Sequence, residues 1–131
     1  MPFSAQYDSA TRILLVRVEG PVTTVMFDTA MQSITTAAEY APNVDTIWDF
    51  HGADFSAISA DGMRSLLAIR ARYTVRAGSR TAFVVANEVA YGMSRMFQLL
   101  ADGTIPQDLS VHRSIDDAHA WILQGRGADT S

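Results

Sequence analysis

The sequence predicts one α/β domain: a mixed, mostly parallel five-stranded sheet with an N-terminal β-hairpin and four helices. Two observations carry this. Nearly continuous apolar runs at 44–50 and 81–86, and a shorter one at 109–112, alternate with stretches whose apolar residues recur at helical spacing. Helices between strands imply parallel pairing through right-handed crossovers. The two runs nearest the N-terminus, 3–7 and 13–18, lie either side of the turn residues Asp8, Ser9, Ala10 and Thr11, which adds one antiparallel pair.

Each element has its own signal. Gly20 and Pro21 end the second strand, and Thr23 or Thr24 can cap the first helix. In that helix Phe27, Ala30, Met31, Ile34, Ala37 and Ala38 keep the spacing of one buried face, before Ala41, Pro42 and Asn43 break it. The third strand, 44–50, reads as covered on both faces, and a loop is expected from His51 to Ser59. A second helix is expected from about Ala60 to Arg76, with Gly78 ending it. Thr81 opens the fourth strand, and Asn87 can cap a third helix with Glu88 well placed against its dipole. Val89, Met93, Met96, Phe97 and Leu100 are expected to be its buried stripe, and Asp102 and Gly103 its stop. After the fifth strand, Ser114, Ile115, Asp116 and Asp117 form a capping-box variant that opens a last helix to Gly125. The domain is thus expected over 1–125, with 126–131 a flexible tail.

Composition narrows the function classes. The chain has 131 residues, 48% apolar and 18% charged, enough to bury a real core. It has no Cys, which excludes disulfides, thiolate metal sites and a Cys nucleophile, and which fits a reducing compartment. The N-terminus carries no basic region or long apolar run of a secretory signal, and no stretch has the roughly 18 apolar residues of a membrane span. A cytoplasmic protein is the expectation. The net charge of −4 argues against generic nucleic-acid binding. Every Lys/Arg position is Arg, and Arg64, Arg70, Arg72, Arg76 and Arg80 follow one another with no acid between them. They are either a solvated helix face or a patch for an anionic partner.

The site is expected beyond the carboxyl ends of the strands, where open α/β sheets meet ligands and partners. Asp49 interrupts an apolar strand; it either bonds loop backbone or an Arg, or orients a ligand or His51. Ser56 and Ser59 precede a helix, so Ser59 is either a plain N-cap or, like Ser56, a phosphate acceptor favoured by the dipole. Asp61 complements that dipole. Tyr91, Arg95 and Gln98 fall at i, i+4, i+7, either as packing of a ring under a guanidinium or as a cation and hydroxyl for an anion, with Asn87 nearby. Gly92 suggests a close neighbour, chain or ligand. Arg70 leans by helical phase toward Leu66, Leu67 and Tyr73, which suggests an ion pair at the core margin.

Four segments carry a family resemblance over almost the whole chain: Val18-Glu19-Gly20-Pro21-Val22-Thr23, Trp48-Asp49-Phe50-His51-Gly52, Tyr91-Gly92-Met93-Ser94-Arg95 and Asp117-Ala118-His119-Ala120-Trp121. With the element order, they resemble the STAS superfamily of sulfate-transporter and anti-sigma-factor-antagonist domains, most of all its small stand-alone bacterial members. The resemblance implies a regulatory, protein-binding role. The fold is also similar to the CRAL-TRIO lipid-binding domain, which implies a carrier of a small apolar or anionic ligand and requires a cavity of several hundred Å³. Anti-sigma antagonists carry a phosphorylated Ser at the start of the second helix. Counting back from Gly62, that position is Ala60 here, and Ser59 stands one residue early.

No Gly-rich phosphate loop or nucleophile elbow is present, and His51, His112 and His119 lack metal-ligand spacing. The leading expectation is therefore a non-enzymatic module without cofactor or metal, acting on an unknown protein partner. A ligand carrier and an acid–base enzyme using Asp49 and His51 are the alternatives. Homodimerisation is expected from the general habit of soluble proteins.

Overall fold

The computed structural model describes residues 3–36, 44–72, 79–102 and 108–129, with 127–129 as backbone only. Strands β1 (Phe3–Asp8) and β2 (Ile13–Pro21) form the hairpin; α1 (Thr24–Thr36), β3 (Asp45–Asp54), α2 (Ala60–Ala71), β4 (Arg80–Val84), α3 (Glu88–Ala101), β5 (Asp108–His112) and α4 (Ile115–Asp129) follow. The sheet order is β1-β2-β3-β4-β5, antiparallel only between β1 and β2.

That order decides the layers. Every crossover steps the same way across the sheet, so right-handed connections put α1, α2 and α3 on one face. There Leu14, Val16, Val18, Trp48, Phe50, Phe83 and Val85 meet Met26, Phe27, Met31, Met63, Leu66 and Phe97 in the larger core. A chain of rings runs through it: Phe27–Trp48 at 5.4 Å, Trp48–Phe50 at 6.0 Å, Phe50–Phe83 at 5.9 Å and Phe83–Phe97 at 5.7 Å. Among the described residues the opposite face carries α4, where Ala118 and Ile122 pack on Ile13, Ile47, Ala82 and Val84. The mixed, mostly parallel sheet with four helices is as the sequence predicts.

Several boundaries differ. Strand β3 continues to Asp54, so His51 lies in a strand and not in a loop. Beyond an irregularity between Arg17 and Glu19, β2 resumes pairing as Glu19–Gly52, Gly20–Ala53 and Pro21–Asp54. Gly20 takes φ 81° there, a left-handed conformation that suits glycine. This extension is held by backbone ladder bonds, which apolar patterning does not report. Thr23 is the first helix's cap, its hydroxyl accepting from the Met26 amide at 3.1 Å. Strand β4 ends at Val84. The expected ends of the first and second helices, with Arg76, Gly78 and Gly103, fall outside the described residues.

Helix α4 runs past Gly125 to Asp129, and Arg126, placed by the sequence reading in a flexible tail, is anchored. Its Nε and Nη2 donate to Asp45 Oδ2 at 3.0 and 2.9 Å, and its guanidinium also donates to the Thr11 and Arg12 carbonyls. The other Asp45 oxygen accepts the Arg80 amide at 2.8 Å. One ion pair thus joins the last helix, the hairpin turn, β3 and β4.

His112 in β5 lies 5.6 Å from the Trp121 ring, with its Nε2 buried and unpartnered. Burial holds its pKa below the ordinary 6.5, against a smaller opposing pull from Asp117. The unfolded chain therefore takes up the proton first as pH falls. The stability this group contributes is present above pH 6.5 and is lost as pH drops from there through the folded pKa. His112→Leu is expected to flatten the melting-temperature profile in that window; an unchanged slope would refute it.

Candidate functional site

Parallel pairing brings the caps of α1, α2 and α3 to one end of the molecule, beyond the carboxyl ends of the strands. Buried Phe55 pins the connection from β3 to α2, its ring meeting Phe50 edge-on at 5.1 Å. Ser56 stands exposed behind it, its amide donating to Asp54 Oδ1 at 2.9 Å. Hydrogen bonds from the Ser56 hydroxyl and amide hold the Asp54 carboxyl below the usual carboxylate range. Ser59 Oγ accepts from the Gly62 amide at 3.0 Å, so it is the N-cap of α2. Asp61 is exposed one step on and meets Arg64 at 3.0 Å. Asn87 caps α3 through the Ala90 amide at 2.8 Å. Removing a cap of this kind costs about 1 kcal/mol. Ser59→Ala should therefore lower the melting temperature by about 4 °C, measured by calorimetry, while Ser56→Ala leaves it near wild type.

Asp49 and His51 are a pair, but they face elsewhere. They alternate with Phe50 and so project from the sheet face that carries α4. Asp49 Oδ1 accepts from the His51 amide at 3.0 Å and from its Nδ1 at 2.7 Å, and Oδ2 lies 3.7 Å from Arg17 Nε. Asp49 thus fulfils three of the roles open to it at once: it bonds backbone, pairs with an Arg and orients His51. The His51 side chain is partly exposed.

Tyr91 and Arg95 are not partners. The ring of Tyr91 carries the Arg113 guanidinium at 4.6 Å, and Arg113 reaches Glu88 at 2.8 Å. Arg95 bonds Gln98, which donates to the Leu109 carbonyl at 2.7 Å, so it lies along the β5 edge, a turn farther from the carboxyl ends. The eight predicted residues therefore divide into a rim (Ser56, Ser59, Asp61, Asn87, Tyr91), a sheet-face pair (Asp49, His51) and an edge residue (Arg95). Sequence reasoning missed Arg17 and Arg113; Arg17 meets Asp49 across two strands and Arg113 meets Tyr91 and Glu88 on α3, where linear spacing carries no signal.

The arginine run is not one patch. Arg64 and Arg72 pair with Asp61 and Asp28, Arg80 lies over the Trp121 ring at 4.8 Å, and Arg70 is buried. Burial pushes the Arg70 pKa down to about 10, so it stays charged. A Cβ on Gly92 would have nothing within 4 Å, so no close neighbour stands there among the described residues. With an exposed helix-interior glycine of that kind, Gly92→Ala should stabilise the fold by about 1 kcal/mol; a lowered midpoint in urea would contradict this.

The apolar void under α2 and α3 is bounded by Phe27, Trp48, Phe50, Met63, Phe83 and Phe97 and measures about 40 Å³. That is room for a water molecule or two, far below the several hundred Å³ a carried lipid needs. No apolar cavity of carrier size lies under these two helices among the described residues. Among the described residues no group of three or more His, Asp or Glu is placed to hold a metal ion, and no helix is long and apolar enough to cross a membrane.

No protein-family model matches the chain, and no curated protein matches it. Solved structures do. An uncharacterised protein of the DUF3478 family with a SpoIIAA-like fold, from Shewanella loihica, aligns with TM-score 0.61 at 15% identity, covering 92% of this chain and 93% of that one. An anti-sigma factor antagonist from Mycobacterium paratuberculosis aligns with TM-score 0.57 at 18% identity, again covering 92% and 93%. The chain accordingly has the SpoIIAA-like, STAS-type fold, over nearly its whole length.

Proposed function

We propose that the protein is a non-enzymatic, cytoplasmic STAS-like regulatory module that acts by binding a protein partner through its carboxyl-end rim. The supporting observation is the form of that rim. Ser59 and Asn87 cap their helices, Asp61 and Tyr91 stand in the first turns, and Ser56 follows buried Phe55 in the connection. Such a fixed, solvent-facing ridge suits a macromolecular surface more than an enclosed small molecule. The STAS-type fold supports the same reading, since one structure that shares it is an anti-sigma factor antagonist. Switching by phosphate is chemically more favourable at Ser59 than at Ser56: a dianion at an N-cap meets the helix dipole, whereas at Ser56 it would face the Asp54 carboxylate.

The test is photo-crosslinking in living cells. A probe at Ala57 or Asp61 is expected to trap one discrete protein, and a probe at Ala10, in the hairpin turn at the opposite end, is expected to trap none. Adducts from Ala10 but none from the rim would refute the proposal.

A further inference from the structure

The sheet face that carries α4 also holds a histidine with one nitrogen fixed and one free. Asp49 Oδ1 meets the His51 Nδ1 at 2.7 Å. A carboxylate accepts and does not donate, so in the neutral ring the proton stays on Nδ1 and the lone pair on Nε2. Among the described residues Nε2 has no partner, and the side chain is 46% exposed. Asp49 is itself largely buried, and the His51 amide donates to the same oxygen at 3.0 Å, which fixes the carboxylate in place.

Two charged groups flank the pair from β2. Arg17, the register partner of Asp49, sets its Nε 3.7 Å from Asp49 Oδ2 and keeps its side chain 57% exposed. Glu19 lies across Gly52, the residue after His51; a Cβ at that glycine would collide with its Oε2.

These features select the electrophile. Acyl transfer needs hydrogen-bond donors aimed at an oxyanion, and the His51 amide is already engaged by Asp49. Phosphoryl transfer needs little beyond position and a cation for the phosphoryl oxygens, and an exposed guanidinium suits those oxygens. Among the described residues nothing bonded to Nε2 offers a proton to a leaving oxygen. The matching donor is therefore one whose leaving group departs as a neutral nitrogen, a compound with an N–P bond.

We propose that His51 is a phosphoryl-acceptor site, taking a phosphoryl group on Nε2 from a phosphoramidate donor. The Nε2 lone pair forms the new N–P bond, the donor's N–P bond breaks, and the leaving nitrogen keeps that electron pair. The proton on Nδ1 does not move; the ring becomes an imidazolium, which Asp49 stabilises. Arg17 attracts the incoming group and Glu19 opposes it. The site lies on a different face from Ser56 and Ser59 and does not rest on the rim's role.

The intact protein is incubated with potassium phosphoramidate, and the modified nitrogens are identified by mass spectrometry and phosphorus NMR. His119 is the internal reference: it is partly exposed on α4 and has no carboxylate within hydrogen-bond distance among the described residues. His51 is expected to react about tenfold faster than His119, and on Nε2. Asp49→Asn should remove that advantage while the thermal melt shows an intact fold. Arg17→Gln should slow the reaction and Glu19→Gln quicken it, each by about two- to fivefold at low salt. Reaction no faster at His51 than at His119, the Nδ1 isomer at His51, or a rate that Asp49→Asn leaves unchanged would overturn the proposal. Should Asp49→Asn fail to fold, the wild-type ratio and isomer decide the outcome.

Discussion

Phe50→Ala is expected to destabilise the protein by about 3–5 kcal/mol, a large share of the roughly 5–15 kcal/mol that holds a domain together. Phe50 is the branch point of the aromatic chain: its ring meets Trp48, Phe83 and Phe55 at 6.0, 5.9 and 5.1 Å. Truncation removes buried apolar surface and opens a cavity among side chains fixed on two strands and a loop, which cannot close around it. The melting temperature should fall by more than about 10 °C, and Phe50→Leu should recover most of the loss. The effect should also reach the rim. Phe55 loses its edge-on partner, so amide exchange at Ser56 and Ser59 is expected to quicken more than at Asn87. A loss under about 1 kcal/mol would mean the core relaxes in a way this packing excludes.

Arg126→Ala is expected to cost about 3 kcal/mol, far more than a tail residue should. Asp45 is buried, and removal of the guanidinium leaves its carboxylate with the Arg80 amide as its remaining described partner. The Thr11 and Arg12 carbonyls lose their donor as well. Most of that cost is the stranded charge. The double variant Asp45→Ala/Arg126→Ala should therefore be more stable than the two single losses sum to, with a coupling of at least about 1 kcal/mol. Added salt should weaken the pair little, because it is largely shielded from solvent. Additive losses in a denaturant-based double-mutant cycle would show that the staple is not a unit.

The apolar spacing of α3 shows how far periodicity reaches. The spacing of Val89, Met93, Met96, Phe97 and Leu100 predicts a helix, and the helix is there. Apolar periodicity does not say which of those residues the chain itself covers. Phe97 faces the sheet, whereas Val89 and Met96 face outward, a difference set by which helix flank the β4–β5 crossover lays down.

The sequence by itself determined the element order, the parallel crossovers, the N-terminal hairpin and the caps at Ser59 and Asn87. These depend on residues within a few positions of one another: apolar period, turn chemistry, and a side-chain oxygen three residues before the amide it meets. It also offered an Asp49–His51 pairing among the roles open to Asp49; that β3 runs on through His51, so that the two share a face, came from the structure. Only the tertiary structure decided that this pair faces away from the rim, that Tyr91 meets Arg113 while Arg95 turns to Gln98, and that Arg126 is anchored to Asp45. Those contacts join residues 22 and 81 positions apart, or turn on which side of the sheet a strand presents. Linear spacing fixes neither, because the sheet's order and the handedness of its crossovers place such residues together only once the whole chain has folded.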